Sequence, residues 1–226
     1  MTKEIETIYQ KIRNDIITLK IKPGSRLKEE EVSKQFKISR TPIRDVFKRL
    51  EQDNLLVIYP QSGTFVTKIR LDSINDILFF RSAVEYLVLT DLISVINPGD
   101  IIRLKTLLDN QRDLLKDDGK DNDEKFASFF FSLDNEFHSI IFDKAGKQSI
   151  LTLLNDSYPY FARYRYLTFL RDEKEITSLL EIHYRIIDVL ESKDLSGLKG
   201  VVLAHNYAGL TGIEKVRDRH PDYFES

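Results

Sequence analysis

Residues 32–50 read VSKQFKISRTPIRDVFKRL, and this stretch predicts two short helices joined by a sharp turn. Its apolar residues recur at helical spacing on both sides of Ser39, and the two runs are too close together for anything except a corner. Ser39 is a favourable N-cap residue, and Pro42 fits the first turn of a helix because its missing N–H has no partner there. We therefore expect a helix-turn-helix whose first helix covers residues 26–37 and whose second helix begins near Arg40.

The second of these helices carries polar residues that are typical of a recognition helix. Arg40, Thr41 and Arg44 cluster in its first turns, and Arg49 lies further along. An arginine donates two parallel hydrogen bonds to a phosphate or to O6 and N7 of guanine, while a threonine suits a phosphate oxygen or a thymine methyl. These four residues are predicted to bind DNA. The alternative interpretation is an amphipathic helix with a solvated basic face.

The next residues change from a helical to a strand-like pattern. A short apolar run at 55–59 is followed by a turn cluster at 60–63 and by β-branched and aromatic residues over 64–69. A hairpin directly after a helix-turn-helix is a wing. Gly63 gives its tip a flexible or left-handed position where bare backbone can approach nucleic acid, so Gly63 is the fifth predicted DNA-binding residue.

The rest of the chain is predicted to be helical, without a convincing strand. The predicted helices cover residues 73–96, 99–117, 123–144, 147–170, 174–192 and 195–217, and the acidic stretch 117–124 is interpreted as a solvated loop. Six helices of this length imply an antiparallel bundle. The predicted fold is therefore mainly α, with a winged helix-turn-helix domain over residues 1–70 and an all-α six-helix bundle over 71–226.

Charge separates these two domains. Residues 1–70 hold 15 Lys and Arg against 9 Asp and Glu, whereas residues 71–226 hold 19 against 27. Only the first domain is therefore expected to meet a polyanion, and its modest net charge of +6 favours a dimer on DNA. The sequence has no cysteine, no apolar run of membrane length and no signal peptide, so we expect a cytoplasmic protein without disulfides that does not interact with a membrane.

Three of the four histidines lie on apolar faces of predicted helices. His138 follows Asp134 by one helical turn, and His183 and His205 occupy apolar faces of two later helices. An ionised aspartate on an apolar face needs a partner, which an imidazole or a metal ion supplies. The pattern fits either hydrogen-bonded core histidines or a metal site. His220 lies in a polar tail and is predicted to be exposed without a role.

The segment from Ile8 to Ile69 resembles the winged helix-turn-helix domain of the GntR family of bacterial transcription regulators. The resemblance rests on the phrases LKIKPGSRL at 19–27, ISRTPIRDVFKRLEQDNLL at 38–56 and GTFV at 63–66. It implies that Arg40, Thr41, Arg44 and Gly63 touch operator DNA. The sequence departs from the pattern at Glu30, where some relatives place a further DNA-contacting arginine, so the operator cannot be transferred from a relative.

Residues from about Arg81 to Val216 resemble the helical FCD effector domain that marks the FadR-type branch of the same family. The matching residues are Arg81, Glu85, Asp134, His138, His183 and His205. In metal-binding members of the branch, the aspartate and the three histidines hold a divalent ion. One carboxylate and three imidazoles suit Zn²⁺ best, with Ni²⁺ or Mn²⁺ possible as well.

The resemblance also implies a small organic acid as effector, because many relatives bind such a molecule at the metal. Arg81 is the candidate effector-binding residue, since a guanidinium forks onto a carboxylate. A salt bridge between Arg81 and Glu85 one turn later is the alternative.

The sequence thus predicts a ligand-responsive repressor that binds double-stranded operator DNA as a homodimer, and not an enzyme. Two alternatives stay open at this stage. The Asp and His set suits a hydrolytic metal centre, although no general base is evident beside it. A metal that is purely structural, or is itself the signal, is the second alternative.

Overall fold

The computed structural model describes residues 3–116, 123–170, 173–208, 210 and 213–225. In chain order these form helix α1 (Lys3–Ile17), strand β1 (Arg26–Leu27), α2 (Glu29–Phe36), α3 (Arg40–Gln52), β2 (Leu56–Tyr59), β3 (Gly63–Val66), α4 (Asp72–Val95), α5 (Pro98–Lys116), α6 (Asp123–Lys144), α7 (Gln148–Ser157), α8 (Pro159–Thr168), α9 (Glu173–Ser192), α10 (Leu195–Ala208), α11 (Ile213–Arg219) and a short 3-10 helix (Pro221–Tyr223). The predicted fold class, mainly α with a small wing, is confirmed. None of the helices described is both long and apolar enough to cross a membrane.

The helix-turn-helix consists of α2 and α3, with α1 packed behind it. The side chains of α3 that face inward are fully buried: Ile43, Val46, Phe47 and Leu50. The turn places Lys37 in the left-handed region at φ 57°, where the next amide, of Ile38, donates to the carbonyl of Ser33. Ser39 is the N-cap residue of α3, as predicted, although its side chain makes no capping hydrogen bond.

The predicted start of the first motif helix at residue 26 is wrong. Arg26 and Leu27 form β1, which pairs antiparallel with Phe65 and Thr64 of β3, and the helix begins only at Glu29. The sheet order is β1-β3-β2, so the wing has three strands instead of the two of a hairpin. The third strand could not be seen locally because its partner strand lies far away in sequence, on the other side of the helix-turn-helix.

The chain forms two compact units. Unit 1 comprises residues 1–72, 155–164 and 217–226, and unit 2 comprises residues 73–154 and 165–216. The predicted second domain, 71–226, thus contributes two pieces to unit 1. A domain boundary at residue 70 stays a prediction.

Two sets of hydrogen bonds explain why these pieces belong to unit 1. The buried guanidinium of Arg163 in α8 donates to the carbonyls of Thr67 and Lys68, at 2.7 and 3.3 Å. The C-terminal segment forms a parallel bridge between Phe224 and Ile69, with the Ile69 amide donating to Tyr223 at 2.8 Å. Residues 67–69 are therefore bound both by Arg163 and by the C-terminal segment, which the sequence analysis interpreted as a polar tail.

Unit 2 is a helical assembly in which α5 packs against α6 and α9, and α9 packs against α10. Its core is built from leucine, isoleucine, valine and phenylalanine side chains, among them Leu92, Leu104, Leu108, Phe137, Ile187, Leu190 and Leu198. Two predicted helices are wrong as single elements. The helix at 147–170 is broken at Tyr158, because Pro159 favours the start of a new helix, and the helix at 195–217 is divided into α10 and α11.

The other predicted helices agree with α4, α5, α6 and α9 within two residues. The predicted loop at 117–124 lies mostly outside the described residues, since 117–122 are not among them and α6 begins at Asp123.

The packing of Phe224 can be tested by hydrogen exchange. The Phe224→Ala variant is expected to free the C-terminal segment, because truncating a buried phenylalanine removes about 3–5 kcal/mol of packing. Amide exchange at Ile69 should then rise at least about tenfold, as measured by mass spectrometry of peptides that cover residues 67–71. The exposed neighbour Asp222→Ala is the control and should leave exchange unchanged. Equal exchange at Ile69 in both variants would contradict the described packing.

Candidate nucleic-acid interface and metal centre

The N-terminal turns of α3 present the predicted DNA-binding residues to solvent. The side chains of Arg40 and Arg44 are 57% and 59% exposed, and Thr41 is exposed as well. In the free protein both arginines are paired with carboxylates of α2. Arg44 binds Glu29 with two nitrogens, at 2.9 to 3.2 Å, and Nη2 of Arg40 lies 2.9 Å from Glu30.

Gly63 opens strand β3 with φ 123°, a conformation that favours glycine. A Cβ at this position would lie 2.8 Å from Nε of Arg26, so the guanidinium lies directly against the bare backbone. The guanidinium carbon of Arg26 also lies over the Phe65 ring, 6.0 Å from its centre. Sequence reasoning did not single out Arg26, because its position beside the wing depends on the unpredicted strand β1.

Arg49 is placed differently from the other predicted DNA contacts. Its guanidinium carbon lies 3.6 Å from the centre of the Tyr9 ring, and Nη1 lies 2.5 Å from Glu6 of α1. The Tyr9 hydroxyl donates to Asp53, and burial together with this hydrogen bond raises the pKa of Tyr9 to about 12. Arg49 thus ties α3 to α1 in the free protein, and its role in DNA binding stays a prediction.

In unit 2 the structure brings the three predicted histidines together. The candidate ligand atoms of His138, His183 and His205, from α6, α9 and α10, all lie within 4.8 Å of one another. Nε2 of His183 and Nε2 of His205 are 2.8 Å apart. Burial lowers the pKa of His183 to about 3 and that of His138 well below its usual value. Both are therefore neutral at physiological pH, which is the form that ligates a metal.

Asp134 lies beside this cluster but is engaged elsewhere. Its Oδ2 accepts a hydrogen bond from Arg165, while Oδ1 lies 3.6 Å from Nε2 of His183. Burial by itself would raise the pKa of Asp134, but the guanidinium of Arg165 holds it well below its usual range. Arg165 was missed by the sequence analysis, because no local pattern links a residue of α8 with one of α6.

The remaining polar atoms of the cluster indicate a fit to a cation. Among the described residues, Oδ1 of Asp134 and Nδ1 of His183 are buried without a hydrogen-bond partner. A buried anionic oxygen that lies 3.6 Å from Nε2 of the neutral His183 is a costly arrangement unless a positive group binds it. The residues present therefore fit a divalent metal.

A second buried pair lies next to the histidines. Arg81 donates to Oε1 of Glu85 at 2.6 Å, and Oε2 of Glu85 accepts from Asn206 at 2.9 Å and lies 3.6 Å from Nδ1 of His205. Burial would raise the pKa of Glu85, but the positive charge of Arg81 lowers it well below its ordinary value. The salt bridge considered as the alternative for Arg81 is thus present. Asn206 was not recognised in the sequence.

The cavity at this site is small. It is lined by Glu85, Leu89, His138, Ile141, Phe142, Ile186, Val202 and His205, and its volume is about 10 Å³. Such a volume admits a single water molecule or an ion and no organic acid.

The fold and these two sites define the class of the protein. A winged helix-turn-helix with exposed arginines at the start of its second helix is a DNA-binding module, and it is followed by a helical unit with a candidate metal centre. The family comparison identifies both parts. The model of the family described as bacterial regulatory proteins, gntR family, matches residues 4–66, and that of the FCD domain matches residues 76–208. The chain belongs to the GntR family, in the branch that carries an FCD domain.

Similar proteins agree with this assignment. The HTH-type transcriptional repressor RspR of Escherichia coli K12 is 28% identical over 219 residues, which is 97% of this chain and 92% of the relative. An uncharacterised HTH-type transcriptional regulator in an unstable DNA locus of Streptomyces ambofaciens is 29% identical over 217 residues, with 96% and 88% covered.

Two solved structures share the fold. Escherichia coli McbR/YncC has a TM-score of 0.73 at 16% identity, with 97% of this chain and 100% of that chain covered. A GntR regulator from Rhodococcus sp. RHA1 has a TM-score of 0.69 at 17% identity, with 98% of each chain covered. The two family matches make the protein a DNA-binding transcription regulator of the GntR and FCD type. The names of its relatives indicate a transcription regulator and not an enzyme, which gives no support to the hydrolytic alternative.

The burial of the Arg81 and Glu85 pair leads to a stability prediction. Arg81→Ala leaves Glu85 without its main positive partner and is expected to cost about 3–5 kcal/mol of unfolding free energy. Urea unfolding followed by circular dichroism measures the loss. Arg103→Ala, which breaks an exposed pair with Glu136, is the control and should cost less than about 1 kcal/mol. Equal costs for the two variants would show that the buried pair has no special structural role.

Proposed function

We propose that this regulator binds double-stranded operator DNA as a cytoplasmic homodimer and represses transcription until a ligand reaches the second unit. Arg40, Thr41, Arg44 and Gly63 are the proposed DNA contacts, with Arg49 as a further candidate. The observation that carries the ligand-responsive part is the convergence of three imidazoles beside the buried carboxylates of Asp134 and Glu85.

The exposed start of α3 supports the proposed DNA contacts. The first turn of a recognition helix enters the major groove, where an arginine pairs with guanine O6 and N7. The side chains that α3 buries point away from this face, so docking on DNA requires no rearrangement of the core. The bare backbone at Gly63 in the wing lies close to the guanidinium of Arg26. This combination suits contact with a sugar-phosphate strand.

Arg44→Ala is expected to weaken operator binding by about 1–3 kcal/mol, because it removes a bidentate donor at the start of the recognition helix. The duplex is one that the protein selects from a random library, and binding is measured by fluorescence anisotropy. Arg185→Ala, an exposed arginine in unit 2, is the control for the change in charge. Unchanged operator affinity in Arg44→Ala would remove this residue from the DNA interface.

The proposed metal ligands are Asp134, His138, His183 and His205. Three imidazole nitrogens and one carboxylate oxygen suit Zn²⁺, while Ni²⁺ and Mn²⁺ accept the same donors. When bound, the ion supplies a positive centre that can accept further oxygen ligands. The protein contributes the neutral imidazoles of His138 and His183 and a carboxylate that stays ionised despite its burial. Arg165 orients this carboxylate from the opposite oxygen.

A small carboxylate is the proposed effector, as it would add oxygen ligands to the ion. The present cavity of about 10 Å³ does not admit it. Effector binding therefore requires the side chains that line the cavity, or the helices that carry them, to move apart. An effector that binds only this enlarged conformation shifts the population toward it. Arg81 can act as an effector anchor only if it exchanges Glu85 for the incoming carboxylate.

The small cavity also favours a second candidate, in which the metal is structural or is itself the signal. Calorimetry with acetate, citrate and fumarate, on zinc-loaded and on chelator-treated protein, separates the two. Heat from a carboxylate only in the presence of zinc supports the effector, while no heat in either state supports the metal alone.

The homodimer is supported by an exposed apolar face on α4. Phe79 and Leu87 are 73% and 63% exposed and lie two helical turns apart, with Ala83 between them. Large apolar side chains on one face of a helix favour a protein contact, and a second copy gives the matched pair of recognition helices that two half-sites require. Repression is proposed because the relative RspR is a repressor.

Metal content gives a direct test of the histidine cluster. Protein purified after growth with added zinc is expected to hold about one ion per chain, as measured by mass spectrometry of the metal. His183→Ala should lose most of it, because the fully buried His183 faces both His205 and Asp134. His220→Ala changes the histidine outside the cluster and should keep full occupancy. Equal zinc in both variants would contradict the proposed site.

A further inference from the structure

The paired state of the α3 arginines is a feature that the proposed DNA contacts do not explain. Arg44 forms a two-nitrogen fork on Glu29, although the two residues are 15 positions apart. Arg40 shares Glu30 with Lys34, at 2.9 Å from each nitrogen. Each of the arginines at the start of α3 thus has its own carboxylate, and both carboxylates belong to the first turn of α2.

Helix stability alone does not require this pairing. Carboxylates in a first turn interact favourably with the helix dipole, and α2 needs them because its N-cap residue, Lys28, makes no side-chain capping bond. Glu31 serves the same purpose, yet it pairs with Lys28 and not with α3. The helix dipole therefore explains why α2 begins with three acidic residues. It does not explain why two of these residues form ion pairs with the arginines of α3.

Both pairs are open to solvent. Exposed ion pairs are weak and exchange partners readily, since water screens the attraction. DNA can therefore displace Glu29 and Glu30, but it must offer the arginines a better partner. Once displaced, the carboxylates stay near the duplex and are repelled by its phosphates.

Resting on the proposed DNA contacts of Arg40 and Arg44, we infer that Glu29 and Glu30 of α2 determine the DNA specificity of the neighbouring recognition helix, α3. They act as competitors for the two arginines. On non-specific DNA, a phosphate takes the place of the glutamate carboxylate as the partner of the arginine. Because the two anions are of similar kind, the exchange adds little to the free energy of binding. In the operator, O6 and N7 of a correctly placed guanine accept two hydrogen bonds from an arginine inside the groove, where water is excluded.

If Glu29 competes with DNA for Arg44, its removal should change the affinity for non-specific DNA and the affinity for the operator by different factors. Removing the negative charge of Glu29 frees Arg44 for any phosphate, so non-specific affinity should rise more than operator affinity. The ratio of the two affinities then falls. A residue that only contributed to the overall charge of the domain would raise both affinities by the same factor.

The test compares Glu29→Gln, Glu30→Gln and the matched control Glu31→Gln in the full-length protein. Each variant is titrated with the selected operator duplex and with a scrambled duplex of equal length and composition, by fluorescence anisotropy at several salt concentrations. Glu29→Gln is expected to bind the scrambled duplex about three- to tenfold more tightly than Glu31→Gln does, with a smaller gain on the operator. Glu30→Gln should change in the same direction, but less, because Lys34 shares its carboxylate.

The inference is overturned if Glu29→Gln behaves like Glu31→Gln on both duplexes. It is also overturned if Glu29→Gln binds the operator more weakly, since Glu29 would then position Arg44 for binding and not compete with DNA.

The double variant Arg44→Ala, Glu29→Gln separates this failure from failure of the proposed function. If Arg44→Ala weakens operator binding and abolishes the effect of Glu29→Gln, competition for Arg44 is supported. If Arg44→Ala leaves operator binding unchanged, the DNA contact itself is wrong. If Arg44→Ala weakens binding but Glu29→Gln has the same effect with and without Arg44, only the competition is refuted.

Discussion

The constraint on which the second unit depends is that a buried charge must have a partner. Arg81, Glu85 and Asp134 are each less than 5% exposed. Removing such groups from water is costly, and only close opposite charges or hydrogen bonds compensate. Arg81 therefore faces Glu85, and Arg165 faces Asp134, while His138 and His183 remain neutral. The arrangement leaves Oδ1 of Asp134 without a hydrogen bond, 3.6 Å from Nε2 of His183. This oxygen and the three converging histidines are the main physical argument for a metal.

The arginines of α3 also pair with carboxylates, but these pairs lie at the solvent-exposed surface. Their carboxylate partners are solvated, so the pairs stabilise the fold little and break at little cost. Buried pairs fix a geometry, whereas exposed pairs can be exchanged for another partner. In the proposed function, the buried pairs hold the metal ligands in place, whereas the exposed pairs break when the arginines bind DNA.

The sequence could predict the elements whose signals are local. The α3 helix, its buried face and the placement of three histidines on apolar helix faces follow from the spacing of residues within one helix. Features that depend on distant partners could not be predicted. Strand β1 exists because Arg26 pairs with Phe65, and the bond from Arg165 to Asp134 joins residues of two helices. The buried tail residue Phe224 likewise had no local pattern to distinguish it from a solvated end.

The candidate metal site likewise has features that the sequence predicts and features that depend on distant residues. Its four proposed ligands could be named from helical spacing and from a resemblance, but the surrounding charges could not. Arg165 contacts Asp134, Glu85 lies beside His205, and Asn206 donates to Glu85. These contacts are evident only when α4, α6, α8 and α10 are seen together. The size of the cavity is also a property of the packed helices and has no signature in the sequence.

X-ray absorption spectroscopy of the zinc-loaded, full-length protein identifies the atoms that bind the ion. If Asp134 and the three histidines hold zinc, its first shell contains nitrogen and oxygen at about 2.0–2.1 Å, with the multiple scattering of three imidazole rings. A zinc shell that lacks imidazole scattering, or is dominated by water oxygens, would contradict this set of ligands.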